Sequence, residues 1–125
     1  MKKRPVNLDL FTIKFPSAAI ASILHRMSGV ILFFAIPIFL YALDISLQSE
    51  DGFTDVNNFF NSMSVKIIVW IMLCALIYHL IAGIRHLIMD FCHIGEGKYS
   101  GKVGAYIVFV LSLLLIVIFS IGYWL

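Results

Sequence analysis

Charge and cysteine are both scarce in this 125-residue chain, where 13% of the residues are charged and two are cysteine. Soluble domains carry about 25% charged and about 45–50% apolar residues. Here 62% of the residues are hydrophobic, more apolar surface than so few polar side chains can cover in water. An ordinary soluble enzyme, a disordered segment and a nucleic-acid binder are thereby excluded. The formal net charge of +2 is too small to draw a polyanion. Cys74 and Cys92 make neither a disulfide framework nor a C-x-x-C pair. What is left is a membrane protein of one small domain, residues 1–125.

What the chain does have is apolar length. A helical span takes about 20 residues, and three stretches reach that, at about residues 20–43, 65–86 and 103–125. With no water to satisfy the backbone, helix is the form expected of them. The alternation of a barrel strand is missing, since runs such as Leu113–Phe119 are apolar on every side. The spans show no internal repeat. The first is interrupted by His25 and Arg26 and is followed by no small-residue cleavage site, so it does not read as a removable signal. The fold class is therefore all-α, with three transmembrane helices.

Residues 1–19 read as a cytoplasmic and interfacial segment, extended over Asn7–Phe15, with Pro16 and Ser17 starting the first helix. Pro37 either kinks the first span or only shapes its packing. Residues 48–64 read as an acidic loop. Apart from Ser112 and Ser120 the third span looks featureless, a lipid-facing or packing helix, with Tyr123 and Trp124 suited to an aromatic belt.

Basic residues fix the orientation. Lys2, Lys3, Arg4, Lys14 and Arg26 lie before or just inside the first span, and Arg85, Lys98 and Lys102 flank the second loop. The first loop carries Glu50, Asp51 and Asp55, with Lys66 at its far edge. Eight basic residues thus fall on one side and one on the other. The positive-inside rule puts the N-terminus and second loop in the cytoplasm and the C-terminus in the periplasm.

Function is best sought where polar groups persist at membrane depth, since a charge at mid-bilayer costs about 2.5–3.5 kcal/mol on insertion scales. Two clusters qualify. At 100° per residue, Ser22, His25, Arg26 and Gly29 share an arc of about 100°, while Ser28 points elsewhere. Arg26 cannot shed its proton and offers a permanent cation with several donors. Such a face suits an amphiphile with oxygens on an apolar ring, a quinone head or the carboxylates of a haem. The alternative is that Arg26 snorkels to the headgroups.

In the second cluster His79, Gly83, His86 and Asp90 fall within an arc of about 60°. Imidazole is the commonest metal-ligating side chain, and haem is a usual guest of apolar bundles. Gly83 would leave space for a porphyrin plane. Equally, His79 can be a neutral histidine bonded to a serine or carbonyl of a neighbouring helix. His79 and His86 are about 10 Å apart along one helix and cannot be opposite ligands of one iron. If His79 takes part in a bis-histidine site, the other ligand comes from a different subunit. His93 and Cys92 are too isolated for a metal site, and Cys74 reads as a packing residue.

Arg4-Pro5-Val6, then Ser22-x-x-His25-Arg26-x-Ser28-Gly29, then His79-x3-Gly83-x-Arg85-His86-x3-Asp90 together resemble the cytochrome b556 membrane-anchor subunits of bacterial succinate dehydrogenase over essentially the whole chain. Ser17 and Cys92 depart from the family's more usual residues. The resemblance implies a subunit of succinate:ubiquinone oxidoreductase, with no flavin or succinate site in this chain. Implied partners are a second small anchor packed against it, an iron–sulfur subunit and a flavoprotein, all held at the lipid bilayer. It further implies haem b shared between the anchors, with His79 as one axial ligand and His25 and Arg26 near the propionates. Ser22 and Arg26 would line the site of the substrate ubiquinone, and His86 and Asp90 would have supporting roles. With no transit sequence before Lys2, the expected location is a bacterial inner membrane.

The same motifs fit the anchor of a fumarate reductase, because direction follows potentials held mainly in other subunits. A small transporter or non-redox scaffold is a third reading, which leaves Arg26 and His79 without a role. The charge asymmetry makes one prediction: a reporter active only outside the cytoplasm works when fused after Leu125 and stays silent after Gly97. The reverse pattern overturns the orientation.

Overall fold

The computed structural model describes residues 15–92 and 97–125. The extended segment expected before Phe15 and the loop position of His93 lie outside the described residues. Four α-helices follow in order: α1 Ser17–Gln48, α2 Glu50–Asn61, α3 Met63–Cys92 and α4 Lys98–Trp124. Among the described residues there is no strand, and α1, α3 and most of α4 are long and apolar enough to cross a membrane.

Local chemistry sets the helix starts. Pro16 is extended at φ −63° and ψ 148°, and its carbonyl accepts from the Ala19 and Ile20 amides at 2.9 and 3.2 Å. Helix α1 then runs through Pro37 as one element of 32 residues, about 48 Å long against a hydrocarbon core of about 30 Å. It therefore extends beyond the apolar stretch on which the span was placed.

The acidic segment expected to be a loop is a helix. Ser49 caps α2, its Oγ accepting from the Gly52 amide at 2.9 Å. Glu50 and Asp51 occupy the first turn, where the helix dipole favours negative charge. Gly52, Val56 and Phe60, one turn apart, are half-buried, and the Phe60 ring stacks on Phe39 at 5.9 Å. A Cβ at Gly52 would stand 2.5 Å from the Ile45 carbonyl oxygen, a backbone atom with no room to yield. Glycine thus lets α2 fold back on the end of α1. The polar composition of 48–64 masked an amphipathic helix too short to span.

Helices α1, α3 and α4 pack on one another, each consecutive spanning pair antiparallel. Lipid is as apolar as leucine, so helices associate in it through close packing of small residues and hydrogen bonds. Helix α1 buries Ala21, Ser28 and Ala35, spaced at seven residues. The third span is not featureless: Gly101, Ala105, Val108 and Ser112 form its buried stripe.

Hydrogen bonds pin the α3–α4 pair at both ends. Arg85 Nη2 donates to the Gly101 carbonyl at 3.2 Å, and the Tyr123 hydroxyl donates to the Lys66 carbonyl at 3.0 Å. Between them Trp70 Nε1 donates to Ser120 Oγ at 2.9 Å, and that hydroxyl donates on to Ile116. Trp124 stays exposed as a belt residue would, whereas Tyr123 is half-buried in this contact.

Ala105 has no exposed surface and Leu113 on the same helix is 64% exposed. Ala105→Leu therefore forces α4 off its neighbours, at about 1–3 kcal/mol. Leu113→Ala stays within about 0.5 kcal/mol. Thermal unfolding of the detergent-solubilised protein checks the pair; equal effects would mean that the α4 seam is not what holds the bundle.

Candidate functional site

The antiparallel register of α1 and α3 brings Ser22–Gly29 alongside His79–His86. Small residues make the approach possible: a Cβ at Gly29 would lie 3.2 Å from His79 Cε1. Ser28, 5% exposed, has its Oγ 2.7 Å from the His25 carbonyl, to which it donates, and 3.0 Å from His79 Nδ1. His79 Nδ1 is also 3.1 Å from that same carbonyl. Two oxygens of α1 thus hold one nitrogen of the ring. His79 Nε2 makes no hydrogen bond among the described residues.

His25 lies flat against His79, ring centroids 4.1 Å apart and planes 17° from parallel. His86 completes the cluster, 5.4 Å from the His25 ring centre. The flank of Gly83, expected to leave room for a porphyrin plane, faces His25: a Cβ there would be 3.6 Å from His25 Nε2. That Nε2 is buried with no hydrogen-bond partner among the described residues. Next to the cluster the Tyr78 hydroxyl donates to the Ala21 carbonyl at 3.0 Å, tying α3 to α1 one turn towards the start of α1.

The expected first face divides. His25 and Gly29 turn towards α3, Ser22 is half-buried, and Arg26 is exposed. Neither Ser22 nor Arg26 makes a hydrogen bond among the described residues. By helical geometry Arg26 lies about 160° from Ser28 around α1. Asp90 is exposed, about three turns beyond His79, and Arg85 is engaged with α4.

Ser28 is the residue that sequence reasoning passed over, set aside for pointing away from the arc of Ser22 and Arg26. The seven-residue spacing of Ala21, Ser28 and Ala35 is the signal that marks it as part of the contact face. Two cavities open elsewhere. One of about 540 Å³ lies between α3 and α4, lined by Ile81, Ile84, Ile88, Ile107 and Leu111 with Arg85 at its polar end. A smaller one of about 180 Å³ lies between α1 and α3 around Ala35 and Met72. Neither contains the histidines. Among the described residues no three His, Cys, Asp or Glu side chains converge as a cage for a bare metal ion.

Three long apolar helices enclosing a histidine cluster against the first two define a small integral membrane protein with an imidazole-bearing site. Residues 1–119 match the family described as the succinate dehydrogenase/fumarate reductase transmembrane subunit, and the chain belongs to that family. It is 43% identical over 123 residues to the succinate dehydrogenase cytochrome b556 subunit of Coxiella burnetii, covering 98% of each chain. It is 39% identical over 88 residues to the protein of that name from Rickettsia felis, covering 70% of this chain and 68% of the other. A third relative, the succinate dehydrogenase cytochrome b560 subunit of Chondrus crispus, is 33% identical over 123 residues, covering 93% and 94%.

Proposed function

We propose that the chain is the haem-bearing membrane anchor of a succinate:ubiquinone oxidoreductase in a bacterial inner membrane. One observation carries the reading: an imidazole inside a span whose Nδ1 is held by two oxygens while Nε2 has no partner among the described residues. A neutral histidine packed for structure alone has no need of that division of roles. The names of the relatives favour succinate dehydrogenase over fumarate reductase.

The residues fit haem b. His79 Nε2 would hold its iron, and a histidine of a second anchor subunit would supply a further ligand, since His25 lies flat against the His79 ring and His86 lies beside His25. The buried, unpartnered Nε2 of His25 is a polar atom that a haem carboxylate would satisfy. When bound, the haem supplies a one-electron redox centre in the membrane. Gly29 keeps the His79 ring in place without a clash, and the Tyr78–Ala21 bond holds the two helices at the spacing the ring requires.

Arg26 and Ser22 are the residues for ubiquinone. Arg26 keeps its charge at membrane depth and projects away from the α1–α3 contact, so it can donate to a quinone oxygen, and Ser22 adds a hydroxyl one turn away. An iron–sulfur subunit docked on the cytoplasmic side, carrying electrons from a flavoprotein, would reach this end of α1 without electrons crossing the bilayer. The N-terminus is cytoplasmic in this reading and the C-terminus periplasmic, as the basic residues dictate.

Replacing His79 with Leu should abolish or strongly perturb the b-type absorption of reduced membranes, while His93→Leu leaves it intact. An unaltered spectrum in His79→Leu rules out the ligand assignment. For the quinone site, a charge-assisted hydrogen bond is worth roughly 1.5–3 kcal/mol, and about 1.4 kcal/mol is tenfold in rate. Arg26→Leu and Ser22→Ala should slow succinate–quinone activity by one to a few powers of ten and largely spare succinate oxidation with an acceptor that takes electrons before the quinone. Equal loss of both activities would mean the residues hold the complex together, and full quinone activity in Arg26→Leu would mean that Arg26 only snorkels.

A further inference from the structure

We infer that Ser28 is a positioning residue for His79, fixing the tautomer of its imidazole and so the nitrogen that faces the metal. The inference rests on the haem reading above. Three heavy-atom contacts meet in one place: Ser28 Oγ to the His25 carbonyl at 2.7 Å, Ser28 Oγ to His79 Nδ1 at 3.0 Å, and His79 Nδ1 to the same carbonyl at 3.1 Å. The carbonyl can only accept. The hydroxyl has one proton, and the shortest of the three contacts assigns it to the carbonyl. The hydroxyl oxygen then meets Nδ1 with a lone pair, so Nδ1 must carry the ring proton and share it between the two oxygens. The opposite tautomer would set a bare Nδ1 lone pair against the carbonyl oxygen at 3.1 Å, a repulsive contact. Only the Nδ1–H form makes all three contacts attractive, and it leaves the lone pair on Nε2.

Ser28 shares this role with the His25 carbonyl and is the side chain that carries it among the described residues. Ser28 is 5% exposed on the buried stripe of α1, one residue before Gly29, whose missing side chain seats the His79 ring. Ser46 on the same helix makes the same bond to a carbonyl three residues back, at 2.8 Å to Leu43, and has no second hydrogen-bond partner among the described residues. Ser28 therefore differs from an ordinary helix serine in the second partner of its oxygen. A partner that accepts the far N–H of a ligating imidazole orients the ring and raises its basicity, and losing one costs about 10–100-fold in metal affinity. Greater basicity favours the oxidised iron, so removal of the acceptor raises the reduction potential.

The test uses the purified complex carrying wild-type chain, Ser28→Ala, Ser28→Thr, Ser28→Cys or Ser46→Ala, with transfer of haem to apomyoglobin and the haem midpoint potential as readouts. Ser28→Ala should release haem about 10–100-fold faster and show a higher potential. Ser28→Thr, which keeps a hydroxyl, should restore both, and Ser46→Ala should change neither. Ser28→Cys, close to serine in volume with a sulfur that accepts weakly, should move both readouts in the direction of the alanine variant and serves if that variant does not assemble. Wild-type release and potential in Ser28→Ala or Ser28→Cys overturns the inference, and so does a change of equal size in Ser46→Ala. A wild-type complex with no b-type band overturns the haem reading itself, and this inference with it.

Discussion

The ring nitrogens of a histidine in hydrocarbon have no water to bond, and the arrangement of the first two spanning helices follows from how His79 is satisfied. Its Nδ1 takes two oxygens of α1, one from the Ser28 side chain and one from the His25 backbone. A helix carbonyl is reachable from a neighbouring helix only where small side chains let the backbones approach. Ala21, Ser28, Gly29 and Ala35 provide that approach along α1. Leucine at any of these positions would separate the helices and strand the imidazole. The cost of an unbonded polar group in lipid, several kcal/mol, far exceeds what one lost van der Waals contact would impose.

The second packing surface works by the same physics with different groups. Helix α4 braces α3 from the flank turned away from the histidines, through Gly101, Ala105, Val108 and Ser112. Arg85 bonds α4 near its start and Tyr123 bonds the start of α3, so sliding along the pair would break contacts at both ends. Few large side chains are buried among the described residues, Val108 being the bulkiest that is fully enclosed. The bundle therefore draws little stability from a core of its own. Its broad apolar exterior fits lipid and, in the proposed reading, a second anchor on the histidine side.

One turn of α1 serves two sites in that reading. His25 and Arg26 are neighbours in sequence and about 100° apart around the helix. One ring stacks on His79, while the guanidinium points out of the bundle. A haem edge and a quinone head placed at these two directions would lie against the same helical turn, and no second helix would have to move for both to be present. The packing that fixes His79 also fixes the direction in which Arg26 leaves the helix.

Composition and periodicity by themselves determined that the chain is a helical membrane protein with three spans, because apolar length and absent charge are properties of local sequence. They also singled out His79, Arg26 and their neighbours, since polar residues at membrane depth stand out against an apolar background. Helix α2 was hidden, because its polar composition resembles a loop and its order depends on Ser49 capping and on Gly52 closing against α1. The third span seemed featureless because glycine, alanine, valine and serine carry no chemical signal until a neighbouring helix packs on them. Ser28 was set aside for the same reason: a helical wheel gives the direction of a side chain and not what stands there. Only the tertiary structure decided that, by bringing a residue of α1 and one of α3, 51 positions apart in the chain, within hydrogen-bond distance.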